Sequence, residues 1–256
     1  MNQIMQEVGI IIKSAREIAV MREAGRIVAA VIEVLTKEAR PGVTTAELEV
    51  IAVREFKRRG AIASFKGYRG FPASICTSVN EEVVHGIPGK KVLSEGDIIS
   101  LDVGAMLNGF HADAAVTLAV GTISPEARKL IETTSDSLKA GIAAARGGVR
   151  LGDVSVAIQS YAESRGFSVV REYVGHGIGR DLHEDPQVPN FGVAGEGPLL
   201  KRGMTLALEP MLNAGTWHTR VTDNKWTVVT ADGKLSAHFE HTIAITDSIP
   251  EILTML

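Results

Sequence analysis

Apolar residues near the start of the chain recur at the spacing of an amphipathic helix. Side chains three, four or seven positions apart share one helix face, so this pattern predicts a helix with one buried stripe. The stripe consists of Ile18, Met21, Ile27, Val28, Val31, Ile32 and Leu35. Ser14 followed by Glu17 has the spacing of a capping box, which marks the start of the helix. Pro41-Gly42 marks its end.

Similar signals predict three more helices. Thr44 and Glu47 have the spacing of a second capping box, followed by a helix that ends near residue 59. Ser124-Pro125 starts a third helix, with proline at its first position, and this helix runs to about Arg146. A fourth helix is expected from about Asp153 to Arg165.

The segments outside these helices have the composition of strands. From about Ser74 to Val120 the pattern changes to strands, with a β-rich run over Ile98 to Val103. Asn108-Gly109 is a strong signal for a two-residue hairpin turn. From Val169 onward the chain reads mostly as strands and glycine-rich loops.

A weak internal repeat suggests how these elements are organised. Arg40 to Gly60 aligns with Arg146 to Gly166 at a constant offset, with matching arginine, glycine and valine positions and a helix in each copy. The pattern predicts one domain, residues 1–256, made of two related halves of about 13–121 and 122–246. The halves would share one sheet, with active groups where they meet.

Composition narrows the class of protein. Apolar residues make up 45% and charged residues 22% of the 256 positions, which excludes a disordered chain. The net charge of −3 gives no general attraction to nucleic acid. Cys76 is the one cysteine, so an intramolecular disulfide and a zinc site of several cysteines are excluded. We expect a protein of the reducing cytoplasm.

The N-terminus is not expected to carry an export signal. Its apolar run, Val8 to Ile12, is shorter than the roughly 7–15 residues that a signal peptide needs. No uninterrupted apolar window of about 18 residues is present, so no membrane span is expected.

The predicted hairpin brings two acidic residues together. With Asn108-Gly109 as the turn, Asp102 faces Ala115 and Asp113 faces Gly104, which places both aspartates on one face of the sheet. Two buried carboxylates repel each other unless a positive charge lies between them, and a metal ion would supply that charge. The alternative is that one aspartate is solvated at the edge of the hairpin.

Three later segments strengthen the metal hypothesis. His176 lies among glycines in GHGIG, and Glu209 and Glu240 each lie in an apolar strand segment. The residues after GHGIG, Arg180 to Pro186, do not resemble a helix start, so a dinucleotide site is not expected. A lone strand glutamate is usually solvent-facing, which remains the alternative. Four carboxylates with one imidazole match two divalent cations: manganese, iron(II), cobalt or zinc.

Seven motifs in one order carry a family resemblance. They are SVNEEVVHGIP (78–88), LDVG (101–104), HADAA (111–115), GHGIG (175–179), LHEDP (182–186), LEPM (208–211) and LSAHFEHT (235–242). With them the chain, from about residue 13 to 246, resembles the short bacterial type I methionine aminopeptidases. The resemblance implies an α+β pita-bread fold, two pseudo-symmetric halves around an antiparallel sheet. It also implies removal of the initiator methionine from new proteins, with a small second residue preferred.

The resemblance also assigns roles to the acidic set. Asp102 and Asp113 correspond to carboxylate ligands, and His176 corresponds to the single imidazole ligand. Glu240 corresponds to the carboxylate that bridges both metals. Glu209 corresponds to a ligand that also takes the proton from the attacking water, a metal-bridged hydroxide in this family.

Two further histidines have implied roles toward the substrate. His85, in VVHGIP, corresponds to the histidine that contacts the leaving amide nitrogen. His183, in LHEDP, corresponds to the one that hydrogen-bonds the scissile carbonyl and its developing oxyanion. For each, the alternative is a structural hydrogen bond.

The resemblance implies an apolar pocket for methionine, and its expected walls are Phe65, Tyr68, Phe71, Cys76 and Trp226. Ordinary packing of these aromatics is the alternative. Phe65 and Leu182 depart from the residues common in the family. We expect no cysteine-rich extension for docking on the ribosome before the core. A monovalent cation near Asn80 and Ser236 is also implied.

The expected partners are peptides with a free N-terminal methionine and the ribosome that makes them, and a monomer is expected. Two other functions stay open. An X-prolyl aminopeptidase or dipeptidase would share the five ligands, although such enzymes usually carry a large N-terminal domain. A non-catalytic binding protein of the same fold would normally have lost ligands.

Overall fold

The computed structural model of the chain describes residues 9–255. The predicted absence of an export signal depends mainly on residues 1–8, which lie outside this range. Within it, no helix combines the length and the apolar character that crossing a bilayer requires.

The predicted helices form close to the expected bounds. The α-helices of the described chain are α1 (Ala15–Glu38), α2 (Thr45–Arg58), α3 (Pro125–Ala144) and α4 (Leu151–Glu163). Both predicted capping boxes are confirmed, at Ser14 with Glu17 and at Thr44 with Glu47. The fourth helix begins two residues before the predicted Asp153. The reason is local, because the Asp153 carboxylate accepts the backbone N–H of Arg150 at 3.0 Å and so caps the turn that precedes it.

The strands alternate with loops over the rest of the chain. They are β1 (Ile62–Ala63), β2 (Ile75–Val79), β3 (Glu82–Val84), β4 (Ile98–Leu107), β5 (Phe110–Ala119), β6 (Ser168–Val169), β7 (Gly175–Gly177), β8 (Glu184–Val188), β9 (Thr205–Leu208), β10 (Met211–Asn213), β11 (Thr219–Val221), β12 (Val228–Thr230), β13 (Ser236–His238), β14 (Glu240–Ala244) and β15 (Glu251–Ile252). Arg180 to Pro186 enters a strand and not a helix, as predicted.

A nine-stranded sheet organises the molecule. Its order is β1-β4-β5-β14-β9-β7-β8, with β2 added on β4 and β15 on β14. Two three-stranded sheets, β13-β10-β6 and β11-β12-β3, complete the described part. Every strand pair among residues 9–255 is antiparallel.

The helices cover the large sheet in two places. α1 packs against β4 and β5, and α3 packs against α4. One apolar cluster extends from Ala24 to Val120, and another extends from Leu138 to Ile245. The pairing of β5 with β14 joins the two regions in one sheet. The sequence repeat itself stays a prediction.

Candidate metal centre and active site

The β4–β5 hairpin has the predicted register. Asn108 and Gly109 both have positive φ, 50° and 78°, which a two-residue turn of this kind requires. Asp102 pairs with Ala115, and Gly104 pairs with Asp113. The two aspartates therefore project from the same face of the sheet, one from each strand.

Five neighbouring strands each supply one candidate ligand. In the sheet order β4-β5-β14-β9-β7, the candidates are Asp102, Asp113, Glu240, Glu209 and His176, with Glu209 directly after the end of β9. Glu240 pairs with Ala115 and His176 with Ala207, so the cross-strand registers bring these positions to one place. Residues far apart in the chain thus become neighbours.

The polar atoms of this set lie close together. Ligand atoms of Asp113, His176 and Glu240 all lie within 4.8 Å of one another. His176 Nε2 lies 3.6 Å from Asp113 Oδ2 and 3.5 Å from Glu209 Oε1. Asp102 and Glu209 are outside the tight trio but line the same cavity.

His176 is oriented as a metal-ligating histidine would be. Its Nδ1 lies 2.8 Å from the carbonyl oxygen of Gly177. A carbonyl only accepts hydrogen bonds, so Nδ1 carries the proton and the Nε2 lone pair faces the carboxylates. Backbone hydrogen bonding of the second ring nitrogen is the usual way to orient a histidine ligand.

The electrostatics of the four acids require a positive partner. Burial raises the pKa of Asp102, Asp113, Glu209 and Glu240 above the ordinary carboxyl value. For Asp102, Glu209 and Glu240, repulsion from neighbouring carboxylates adds to the effect. Asp102 Oδ1 is buried without a hydrogen-bond partner. An orphaned carboxylate oxygen beside three other acids and an imidazole nitrogen fits a site for divalent metal.

One cavity contains every metal-binding, catalytic and substrate-binding residue that was predicted from the sequence, whereas Asn80 and Ser236, the predicted neighbours of a monovalent cation, are not among its lining residues. It has a volume of about 160 Å³, and its walls include His85, His183, Phe65, Tyr68, Phe71, Cys76 and Trp226 together with the five candidate ligands. Leu182 and Arg69 also line it. Apolar cavities of about 150 Å³ hold a benzene-sized group, so a methionine side chain is of suitable size. The individual roles of these residues stay predictions.

The aromatic side of the cavity is tightly organised. The Tyr68 hydroxyl lies 2.8 Å from His183 Nδ1, and the His176 and His183 ring centroids are 4.1 Å apart. Desolvation by the surrounding side chains, with a contribution from His176, lowers the pKa of His183 to about 3 although the residue is partly exposed to solvent, so its ring is neutral at physiological pH. Phe71 and Trp226 meet edge to face at 5.2 Å, the preferred geometry of an aromatic pair.

Sequence reasoning missed one histidine at this site. His238 is buried, and its Nε2 lies 3.8 Å from Glu209 Oε2. Burial lowers the pKa of His238 to about 3. The sequence did offer one sign of its place in the site, because His238 lies two residues before Glu240. No role was predicted for His238, because it was neither one of the acids nor one of the histidines to which the resemblance assigned a role.

Comparisons with known proteins agree with this geometry. The profile of Metallopeptidase family M24 matches residues 19–247. Methionine aminopeptidase 1 of Bacillus subtilis (strain 168) is 59% identical over 245 residues, which cover 96% of this chain and 99% of that protein. Methionine aminopeptidase of Clostridium acetobutylicum is 58% identical over 247 residues, covering 96% and 99%.

Solved structures show the same fold. The crystal structure of methionine aminopeptidase from Thermotoga maritima matches with a TM-score of 0.95 and 49% identity, covering 96% of this chain and 100% of that one. The Xaa-Pro dipeptidase of Bacillus anthracis matches with a TM-score of 0.77 at 24% identity, covering 98% and 63%, which shows the fold alone. The predicted α+β pita-bread fold is confirmed. The chain belongs to metallopeptidase family M24, and within it to the methionine aminopeptidases.

Proposed function

We propose that this chain removes the initiator methionine from new proteins by hydrolysing their first peptide bond at a centre of two divalent metal ions. The observation that carries the proposal is one cavity in which a buried carboxylate and imidazole cluster adjoins a wall of aromatic side chains. The carboxylate and imidazole cluster suits divalent cations, and the aromatic wall suits a thioether side chain.

The metal centre is assigned to the five clustered ligands. Four carboxylates, Asp102, Asp113, Glu209 and Glu240, balance the charge of two divalent ions, with His176 as the nitrogen ligand. Cobalt, manganese, iron(II) and zinc all suit this donor set. When bound, such ions lower the pKa of a water molecule, polarise a carbonyl group and attract a free amine.

Three side chains act on the substrate in this proposal. Glu209 accepts the proton of the attacking water and passes it to the departing amine. His183 donates a hydrogen bond to the carbonyl oxygen of the first residue and to the oxyanion that develops there. His85 contacts the nitrogen of the leaving amide.

The methionine side chain is assigned to the aromatic part of the cavity. Phe65, Phe71 and Cys76 in its wall are buried, while Tyr68 and Trp226 are half-buried. An apolar wall separates side chains by only about 1–3 kcal/mol per methylene, so norleucine should also be accepted. We extend the proposal to a preference for a small second residue.

The cellular setting belongs to the same proposal. We place the chain in the cytoplasm as a monomer that acts on nascent or short peptides, with the ribosome as their source. Cys76 is a free, buried thiol, which suits a reducing compartment. A monovalent cation is proposed near Asn80 and Ser236, where the Ser236 N–H donates to the Asn80 carbonyl at 2.9 Å.

The test is release of methionine from Met-Ala-Ser by the purified chain, before and after chelation and after metal is added back. We expect release that chelation abolishes and metal restores. Glu209→Ala and Asp113→Ala should abolish release while circular dichroism shows an intact fold. Glu33→Ala, which removes only an exposed partner of Lys37, is the matched control and should retain activity.

Two outcomes would contradict the proposal. Full activity in Asp113→Ala or Glu209→Ala would show that the residue is not needed for metal binding or proton transfer, which contradicts the role assigned to it. Faster hydrolysis of a Xaa-Pro peptide than of Met-Ala-Ser would favour the X-prolyl alternative, for which the likeness extends only to the fold.

A further inference from the structure

The two carboxylate oxygens of Glu209 face different histidines. Oε1 lies 3.5 Å from His176 Nε2, on the side of the clustered ligands. Oε2 lies 3.8 Å from His238 Nε2. A carboxylate flanked in this way has one oxygen directed at the candidate metal centre and one oxygen available for a supporting partner.

His238 is held in place by its backbone. It lies at the end of β13 with 1% of its surface exposed. Its N–H donates to Thr117 Oγ1 at 2.8 Å, and its carbonyl oxygen accepts a hydrogen bond from the same hydroxyl at 2.8 Å. The main chain at His238 is therefore locked to β5, and only the ring is without a complete set of partners.

The Nε2 atom of His238 is buried and makes no hydrogen bond. Buried polar atoms are nearly always paired, because leaving one unpaired costs free energy. Glu209 Oε2 is an acceptor 3.8 Å away. The hydrogen of the His176 ring is held on Nδ1 by the Gly177 carbonyl. Among the described residues no such bond holds the hydrogen of His238 on Nδ1, so the facing carboxylate favours the ring form with the hydrogen on Nε2.

The gap between these atoms is small. A formed N–H···O hydrogen bond spans about 2.9–3.0 Å, so the two atoms would have to approach by less than about 1 Å from their 3.8 Å separation. Hydrogen bonds at catalytic sites are often long in the free enzyme and shorten in the complex.

We propose that His238 is a positioning residue for Glu209, whose Oε2 accepts a hydrogen bond from His238 Nε2 so that Oε1 stays directed at the metal centre. This inference rests on the proposed function, in which Glu209 binds metal and moves a proton. Without that bond, the carboxylate would rotate freely between orientations, and both metal binding and proton transfer would weaken.

The test compares three variants with the wild-type chain. His238→Gln places an amide N–H close to the position of the imidazole Nε2, whereas His238→Leu fills similar space without a donor. His241→Leu is the matched control, since it removes a partly buried histidine that bonds only Thr254, at 2.8 Å, away from the cavity. Each protein is measured for kcat and KM with Met-Ala-Ser, for Co²⁺ binding by calorimetry after chelation, and for thermal unfolding.

Loss of a supporting partner of a metal ligand typically costs about 10–100-fold, and we expect that loss in kcat and in Co²⁺ affinity for His238→Leu. KM should change little, His238→Gln should restore most of both quantities, and His241→Leu should alter only thermal unfolding. The proposal is overturned if His238→Leu matches His241→Leu, or if His238→Gln is as impaired as His238→Leu. If the wild type released no methionine, the proposed function would fail, and the Co²⁺ affinities would still decide the role of His238.

Discussion

The hydroxyl of Tyr68 lies 2.8 Å from Nδ1 of His183, and the two rings stack with their centroids 5.1 Å apart. We predict that the Tyr68 hydroxyl donates to Nδ1, because a neutral His183 then keeps its ring hydrogen on Nε2, where it can donate to a substrate carbonyl. In that arrangement Tyr68 contributes more than an apolar wall.

Replacing Tyr68 with phenylalanine should therefore lower kcat. The variant keeps the stacked ring and removes the hydroxyl, at a net cost of about 0.5–1.5 kcal/mol, which corresponds to roughly 2- to 12-fold. Methionine release from Met-Ala-Ser measures it. Tyr161→Phe is the control, because that hydroxyl donates to Asp136 at 3.1 Å, between α4 and α3, and Tyr161 does not line the cavity. Equal effects in the two variants would contradict the role of Tyr68.

The stability of the metal-free chain should depend on pH through the clustered acids. Burial raises the pKa of Asp102, Glu209 and Glu240 well above their ordinary values of 3.8, 4.5 and 4.5. The folded chain therefore holds protons that the unfolded chain releases as the pH rises through those ordinary values. The resulting stabilisation is present at low pH and is lost as the pH rises toward the raised pKa values. His183 and His238, whose pKa values are lowered, contribute with the opposite sign over this pH range. We therefore expect Tm to change less favourably from pH 5 to pH 8 in the chelated wild-type chain than in chelated Glu240→Gln, as measured by scanning fluorimetry.

Added Mn²⁺ or Co²⁺ should offset the loss of stability that ionisation of the buried acids causes at high pH. A ligand at a hundred times its Kd stabilises the folded state by about 2.7 kcal/mol, on the order of 5–10 °C for a chain of this size. The gain in Tm should be larger at pH 8 than at pH 5, because the ions bind deprotonated carboxylates. Scanning fluorimetry with and without chelator measures it, and Asp113→Asn should reduce the gain. An equal gain at both pH values would contradict the charge argument.

Lys13 and Glu184 form a buried ion pair that ties the segment before α1 to the first residue of β8, next to His183. Both side chains are only 3% exposed. Glu184 also accepts the backbone N–H of Arg180 at 2.8 Å. Lys13→Met leaves a buried carboxylate without its cation, which typically costs about 3–5 kcal/mol. Urea unfolding should show this loss.

The control for the ion pair lies on the surface of α1. Lys37 pairs with Glu33, and the two side chains are 69% and 51% exposed. Exposed helical pairs contribute about 0.3–0.5 kcal/mol, so Lys37→Met should change unfolding very little. Similar losses in the two variants would show that burial does not govern the Lys13 pair.

Gly104 leaves the space that the Phe65 ring occupies. A Cβ at this position would lie 2.6 Å from Phe65 Cε1 and 2.9 Å from Ser64 Cβ. Gly104→Ala should displace the ring, reshape the methionine pocket and so lower kcat/KM for Met-Ala-Ser, and the overpacking itself should cost about 1–3 kcal/mol of folding stability. Co²⁺ affinity should not change. Gly89→Ala, where the nearest atom is 3.8 Å away, is the control. Unchanged kinetics in Gly104→Ala would contradict the proposal that Phe65 contacts the methionine side chain.

Local patterns in the sequence were sufficient for the helices and for the central hairpin. Caps such as Ser14 with Glu17 act over three residues, and the Asn108-Gly109 turn sets the pairing of Asp102 with Ala115 through its own backbone geometry. The fourth helix showed the limit of this reasoning, since its start was predicted two residues late. The acids themselves were visible because carboxylates in apolar strands are costly without a partner.

The tertiary structure decided how these pieces meet. The pairing of β5 with β14 places Glu240 beside Ala115, although the two residues are far apart in the chain. Strand pairing at that separation depends on the burial of whole faces, and no short pattern specifies it. Glu209 lies near both His176 and His238 for the same reason, because the three side chains come from different parts of the chain that only the packed structure brings together. Sequence alone therefore determined which groups could bind metal, and packing determined which neighbours orient them.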